Sequence, residues 1–192
     1  MVDRRVRKTK RALAKALTDI VGRKGIEKLT VGELLEAADV GRATFYSHFA
    51  DKDDFIRLSL SEMIDAADRH SRAHTRAGEI RLVPSLELLA HYHEVKSYVR
   101  SLARSGTLAA RLTNTEIKLR DVAEDRLAGY PLAPRAPPRA EIAAFVAGAF
   151  VGLARAWIER GMAEPPDAVD RAFVALVRGA VAPMLADDAV SG

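Results

Sequence analysis

The sequence predicts an all-α protein of about nine helices, and three observations carry that reading. Aromatic residues make up only 6% of the 192 residues while Ala, Leu, Arg and Glu are plentiful, a mix that favours helix over sheet. No run alternates apolar and polar residues as a half-buried strand does, whereas apolar residues recur at helical spacing along most of the chain. Gly25, Gly106, Gly161 and the prolines between Gly129 and Pro138 punctuate these periodic stretches.

The first helix is expected over 6–24. Val6, Leu13, Leu17, Ile20 and Val21 share its apolar face. Gly25 offers a left-handed C-cap, and Ile26 is placed to pack back on the last turn. Thr30 opens the second helix. With Glu33 it has the spacing of a capping box, just ahead of Leu34 and Leu35. That helix ends near Ala38, Asp39-Val40-Gly41 forms a short turn, and a third helix covers 42–49. Asp51 caps a long fourth helix that reaches about Arg76. Pro84 opens a helix running through Ser101, Gly106 breaks the pattern, and another helix runs to about Leu127. Four prolines between Gly129 and Pro138 make a loop. A helix over 139–160 stops at Gly161, and Pro165-Pro166-Asp167 starts the last one, which ends near Leu185. This organisation divides the chain at residue 50: a small three-helix domain over 1–50 and a larger helical domain over 51–192.

Charge separates the two parts. Residues 1–28 hold ten basic and three acidic side chains, a net of +7, so the remainder carries −3 of the overall +4. A basic end on a mildly acidic body points to a polyanionic partner at that end. Two short helices joined by a three-residue turn behind a longer helix form a helix-turn-helix candidate. Phe45 and Phe49 share one face of the third helix and can pack on Leu34, Leu35 and Val40. The opposite face carries Ala43, Thr44 and Ser47, flanked by Arg42 and Tyr46 on one side and His48 on the other. Its small centre lets the helix sit deep in a DNA groove. Arg42 can pair with guanine O6 and N7, while the Thr44 and Tyr46 hydroxyls suit phosphate oxygens. The N–H groups opening the second helix at Thr30 also favour a phosphate. Lys52 stands in the first turn of the fourth helix, where the macrodipole disfavours a cation, so a phosphate contact is expected of it.

The stretch Leu29-Thr30-Val31, Ala37 through Phe49 and Lys52-Asp53-Asp54-Phe55 closely resembles the DNA-binding domain of the tetracycline-repressor (TetR) family. The run Thr44-Phe45-Tyr46-Ser47-His48-Phe49 followed by Lys52 resembles that family's third-helix signature. The resemblance covers about residues 7–60. It implies a homodimer that sets two third helices in successive major grooves of a near-palindromic double-stranded operator. It implies phosphate roles for Thr44, Tyr46, His48 and Lys52, and base reading near Arg42, Ala43 and Ser47. Two positions depart from the family pattern: Gly41 replaces a frequent serine cap, and Gly32 leaves the second helix without a long side chain at a position that can reach bases.

In the larger domain, the helix over 139–160 is apolar on two sides, so it is buried on two sides. Ile142, Phe145, Val146, Ala149, Phe150, Leu153 and Trp157 form the broader face. Ala147, Val151, Ala154 and Ile158 form a smaller one, which with Phe173 and Val177 of the last helix is expected to pair with a second copy as a four-helix interface. The resemblance also implies a pocket for a small-molecule effector. Met63, Tyr92, Tyr98, Phe150 and Trp157 are its candidate lining. The expected function is a ligand-responsive transcriptional regulator, a repressor released from its operator by that effector. The alternative is a co-regulator of the same fold that acts through protein partners without specific DNA binding.

No Gly-rich phosphate loop, nucleophile elbow or H-E-x-x-H motif is present, so an enzyme is not expected. The absence of cysteine excludes disulfides and thiolate metal sites. His70 and His74 lie four apart on one helix face but lack clear further ligands, so neither a metal nor a cofactor is expected. The charged N-terminus has no apolar h-region, and the most apolar stretch, 142–154, is short for a bilayer span. A cytoplasmic protein without a membrane partner is the expectation.

Overall fold

The structure, a computed structural model, describes residues 4–25, 28–76 and 78–186. Among them run nine α-helices: α1 (Arg4–Lys24), α2 (Val31–Ala38), α3 (Arg42–Tyr46), α4 (Lys52–His74), α5 (Ser85–Glu94), α6 (Lys96–Arg104), α7 (Leu108–Leu127), α8 (Arg139–Glu159) and α9 (Pro166–Val181). The described residues hold no strand, only one isolated bridge between Leu132 and Leu185. The chain forms two compact units, Met1–Glu62 with Val95–Ala109, and Met63–Glu94 with Ala110–Gly192. This grouping by compactness places α6 and the first turns of α4 with the N-terminal helices.

The N-terminal unit is built around Leu13, Leu17, Ile20 and Val21 of α1, Leu34 and Leu35 of α2, and Phe45, Phe49 and Phe55. α6 closes this core through Leu102, lying along α1. Gly22 permits that approach, since a Cβ there would stand 2.9 Å from the Ser97 hydroxyl. Gly25 ends α1 at φ +86° as expected, while the packing of Ile26 lies outside the described residues. The α2–α3 turn needs a left-handed residue, and Asp39 supplies it at φ 52°, a conformation Asp adopts more readily than most residues. Its N–H bonds back to Glu36 O, and that of Val40 to Leu35 O, closing the end of α2.

In the second unit, α8 buries Ile142, Val146, Phe150 and Trp157, and also Ala143, Ala147, Val151, Ala154 and Ile158. α9 packs on α5 and α8 through Val169, Phe173 and Val177. Its buried Asp170 accepts from Arg81 at 3.0 and 3.3 Å and from the Ser85 hydroxyl at 2.5 Å. Arg126, also buried, donates to Asp68 at 2.8 Å and to the Arg81 carbonyl at 2.8 Å. Buried charge is thus paired on both sides of the 75–84 connection.

Several expectations are corrected. The single helix expected from Pro84 through Ser101 is two, broken at Val95 (φ −99°, ψ 31°), because α5 packs on α9 and α6 on α1. The third helix stops at Tyr46, and Ser47 and His48 form the turn after it. The last helix ends at Val181, where Pro183 permits only a short 3-10 turn. The face expected to pair with a second copy is covered within the protomer. Ala147, Val151, Ala154, Ile158, Phe173 and Val177 are all buried within the protomer, since small residues allow close packing inside one chain as readily as between two. The large apolar residues that α8 and α9 expose are Phe145 (51%) and Leu176 (68%). α8 is also longer than its apolar centre and is long and apolar enough to cross a membrane. Half of that window is buried in the fold, as in a core helix.

Candidate nucleic-acid interface

The inward side of α3 is fixed by aromatic packing. Phe45 is fully buried, with ring centroids 5.2 Å from Phe49 and 6.0 Å from Phe55, and Phe49 lies 5.0 Å from Phe55. Two rings anchored on one side leave this short helix a single rotational setting. That setting turns Arg42, Ala43, Thr44, Tyr46, Ser47 and His48 all to solvent. Tyr46 is nearly half exposed while its ring packs edge to face with Phe45 at 5.3 Å, so the exposed ring is braced on one side. The Ser47 hydroxyl donates to Thr44 O at 2.8 Å and keeps its acceptor lone pairs. The outward face is therefore a small-residue centre with an Arg, a Tyr and a His at its edges.

Lys52 and Thr30 stand where the sequence places them, and each has a partner within the protein. The Lys52 ammonium donates to Leu29 O at 3.2 Å, joining the first turn of α4 to the segment before α2. This bond accounts for a cation in an unfavourable helix position, and two of its three donors remain for a phosphate. Thr30 caps α2 as expected: its hydroxyl accepts from the Glu33 N–H at 3.3 Å and donates to the Glu33 carboxylate at 2.7 Å, and its own N–H reaches that carboxylate at 3.0 Å. Lys24 pairs with the same carboxylate. The Lys24 ammonium, then the Thr30 hydroxyl and N–H, hold Glu33 down to about 2 from 4.5. A phosphate at Thr30 would meet this charge, which weakens its case as a contact. Asp51 caps α4 by accepting from Asp54 N–H at 2.8 Å, and Asp54 accepts from Ala50 N–H at 3.1 Å.

The sequence reading missed a specific basic stripe. At roughly 100° per residue, Arg7, Lys8, Arg11 and Lys15 fall within about a quarter-turn of α1, and all four are exposed or lie away from the core face. Lys10, on another side, is spent on Glu62 and lies 6.0 Å from the Phe49 ring. The clustering was latent in the basic N-terminus, but which cations stay free depends on Glu62 and Glu33.

The candidate effector residues are divided between the two units. Tyr98 packs on the core of the N-terminal unit, because α6 belongs there. Met63, Tyr92, Phe150 and Trp157 lie in the second unit. Phe150 and Trp157 are fully buried, Phe150 against Phe173 and Trp157 with its indole N–H on Glu164 O at 3.0 Å. The Tyr92 hydroxyl lies 3.4 Å from that of Thr115. Among the described residues, no group of three His, Asp or Glu is placed to hold a metal.

Comparison with known proteins agrees with this architecture. The family profile of bacterial regulatory proteins, tetR family, matches residues 13–57, and that of a transcriptional regulator C-terminal region matches residues 93–179. The HTH-type transcriptional regulator YxbF of Bacillus subtilis (strain 168) is 27% identical over 184 residues, covering 90% of this chain. The chain spans 45% of the length of that relative. Among solved structures, the dihydroxyacetone kinase operon activator DhaS superposes with a TM-score of 0.66 at 17% identity over 93% of this chain and 98% of that one. A TetR transcriptional regulator from Streptococcus agalactiae 2603V gives 0.58 at 19% identity over 91% and 96%. TylP of Streptomyces fradiae gives 0.62 at 21% identity over 97% and 83%.

Proposed function

The chain belongs to the tetR family of bacterial regulatory proteins, a family of transcriptional regulators and not of enzymes, and from that premise we propose a ligand-responsive repressor that binds a near-palindromic operator as a homodimer. The observation that supports this best is the single setting of α3. With Phe45 and Phe49 locked inward, Arg42, Ala43, Thr44, Tyr46, Ser47 and His48 are presented together to solvent. In the proposed complex, Arg42 reads guanine in the major groove. Thr44, Tyr46, His48 and Lys52 hold phosphates, and the α1 stripe adds further phosphate contacts. Residues 1–50 serve as the reader and 51–192 as the sensing and dimerising part, in the cytoplasm where such a reader meets its DNA.

The dimer is proposed to form through the exposed sides of α8 and α9. Phe145 and Leu176 anchor it, and Gly152, Ala172 and Gly179, all exposed, let the paired helices approach. Such a pairing sets two α3 copies at fixed separation. An effector that prefers one separation shifts the dimer toward it, and one with equal affinity for both shifts nothing. α4 runs from the N-terminal unit into the second, and its displacement is the proposed transmission. The neighbour DhaS is named an activator, and the same chemistry serves that sign of regulation where the operator lies differently from the promoter.

The test is selection from a random duplex pool at near-physiological salt, with wild type beside Tyr46→Ala. Enrichment of a near-palindrome by wild type and its loss in the variant supports the proposal. A folded dimeric wild type that enriches nothing counts against it.

A further inference from the structure

We propose that the second unit carries a cleft for a small molecule with an amine at one end and an anionic group at the other. The cleft lies between the end of α4, the 75–84 connection, the start of α5 and α9. This deepens the effector part of the proposed function, resting on that reading for its consequence at DNA but not for binding itself. The cleft measures about 540 Å³, within the range of small-molecule sites.

Two polar groups in its lining are left over by the fold. Ser71 is 3% exposed and its hydroxyl has no hydrogen-bond partner among the described residues. The Glu87 Oε2 atom is also buried and without a partner among them. Buried polar atoms nearly always find partners, so two orphans just beneath the wall of one cleft, on residues that line it, mark a place that a ligand completes. A carboxylate oxygen only accepts, so it calls for an N–H or O–H donor, and an ammonium also supplies the opposite charge. The Ser71 hydroxyl can take a second hydrogen bond from the same group or donate to its neighbour.

At the rim the chemistry reverses. Arg76 and Arg178 line the same cleft and are exposed, which suits a carboxylate or a phosphate at the other end of the ligand. Arg81 is not available for that role, because Glu79 at 2.6 Å and Asp170 at 3.0 Å already hold it. That ion-paired wall joins the 75–84 connection to α9, so a ligand seated against it touches the helix proposed for dimerisation. A structural alternative has His74 or Arg76 swing onto Glu87 to serve as its permanent partner. The two readings give opposite signs for the stability of a Glu87 variant.

The experiment uses the full chain. Thermal midpoints of wild type, Ser71→Ala and Glu87→Leu are measured without ligand. Titration calorimetry then follows with δ-aminovalerate, its N-acetyl derivative and pentylamine as probes. Removing a group kept for a ligand should raise stability: Glu87→Leu is expected about 2 °C or more above wild type, and Ser71→Ala no lower than wild type. Wild type should bind δ-aminovalerate about tenfold tighter than the N-acetyl form, and Glu87→Leu should lose that preference. Arg178→Gln should weaken δ-aminovalerate and leave pentylamine unchanged. A lower midpoint for Glu87→Leu, no detectable heat with δ-aminovalerate, or equal affinity for the acetylated probe would overturn the proposal. None of these readouts involves DNA, so failure here and failure of the duplex selection are separate results.

Discussion

The two units use apolar side chains in opposite ways around their functional surfaces. In the N-terminal unit, three phenylalanines are spent on fixing one five-residue helix, and everything that helix shows to solvent is small or polar. In the second unit, the large aromatics Phe150 and Trp157 vanish into the core, the exposed large apolar residues include Ile117, Phe145 and Leu176, and the open cleft is lined mostly by polar and charged residues. A surface that reads a polyanion needs rigid donors. A surface that pairs with a copy needs exposed apolar area, and a ligand site needs polar groups that the fold leaves unsatisfied.

The largest effect should come from breaking the anchored side. Phe45→Ala removes a fully buried ring from the aromatic cluster and should cost about 3–5 kcal/mol of stability, read by urea unfolding, with DNA binding lost as a consequence. The second unit gives the counterpart. Phe145→Glu with Leu176→Glu should leave the protomer folded while weakening the dimer about tenfold or more by sedimentation. Ala147→Glu, only two residues away but fully buried, should unfold the second unit instead. If the outcomes of these two changes were exchanged, the dimer face would be the one read from sequence.

A smaller effect is expected at Lys52. Lys52→Met removes the bond to Leu29 O, and because the side chain is half-buried the loss should be only about 1 kcal/mol, with weaker DNA binding at every sequence. Smaller still is the acid dependence carried by Glu33. Its carboxyl sits at about 2 in the fold against 4.5 ordinarily, so its stabilising pairing is complete above pH 4.5 and is lost as pH falls toward 2. Glu33→Gln should flatten that part of the stability profile, followed by circular dichroism. His91 acts in the same sense at higher pH: burial, partly opposed by Glu94, lowers its basicity, so stability should decline as pH falls below about 6.5.

Legibility in the sequence followed the range of the interaction. The capping box Thr30/Glu33, the Asp51 cap, the Gly25 terminus and the inward pair Phe45/Phe49 are all set within five residues, and periodicity with cap chemistry reads them directly. The break at Val95 carries no Gly or Pro signal, since it arises because the helices on either side pack on different partners. For α8, the sequence says that two faces are covered but not by what; the fold covers Ala147 within the protomer and leaves Phe145 half exposed. Thr30 and Lys52 show the same limit at the interface: their residue types suit phosphate, but Glu33 and Leu29 O decide how much of each is left for it. The orphan pair Ser71 and Glu87 comes from two helices and has no local pattern at all.

In the proposed complex, α3 reads base identity while the surrounding cations only hold the duplex. The measurement is the affinity of wild type, Arg42→Ala and Arg11→Ala for every single-base variant of the enriched duplex. Arg42→Ala should lose about 1–3 kcal/mol on the best site and flatten preference at one position per half-site. Arg11→Ala should weaken all duplexes alike and lower the salt dependence by about one ion. A uniform loss in Arg42→Ala with base preference intact would contradict base reading by α3.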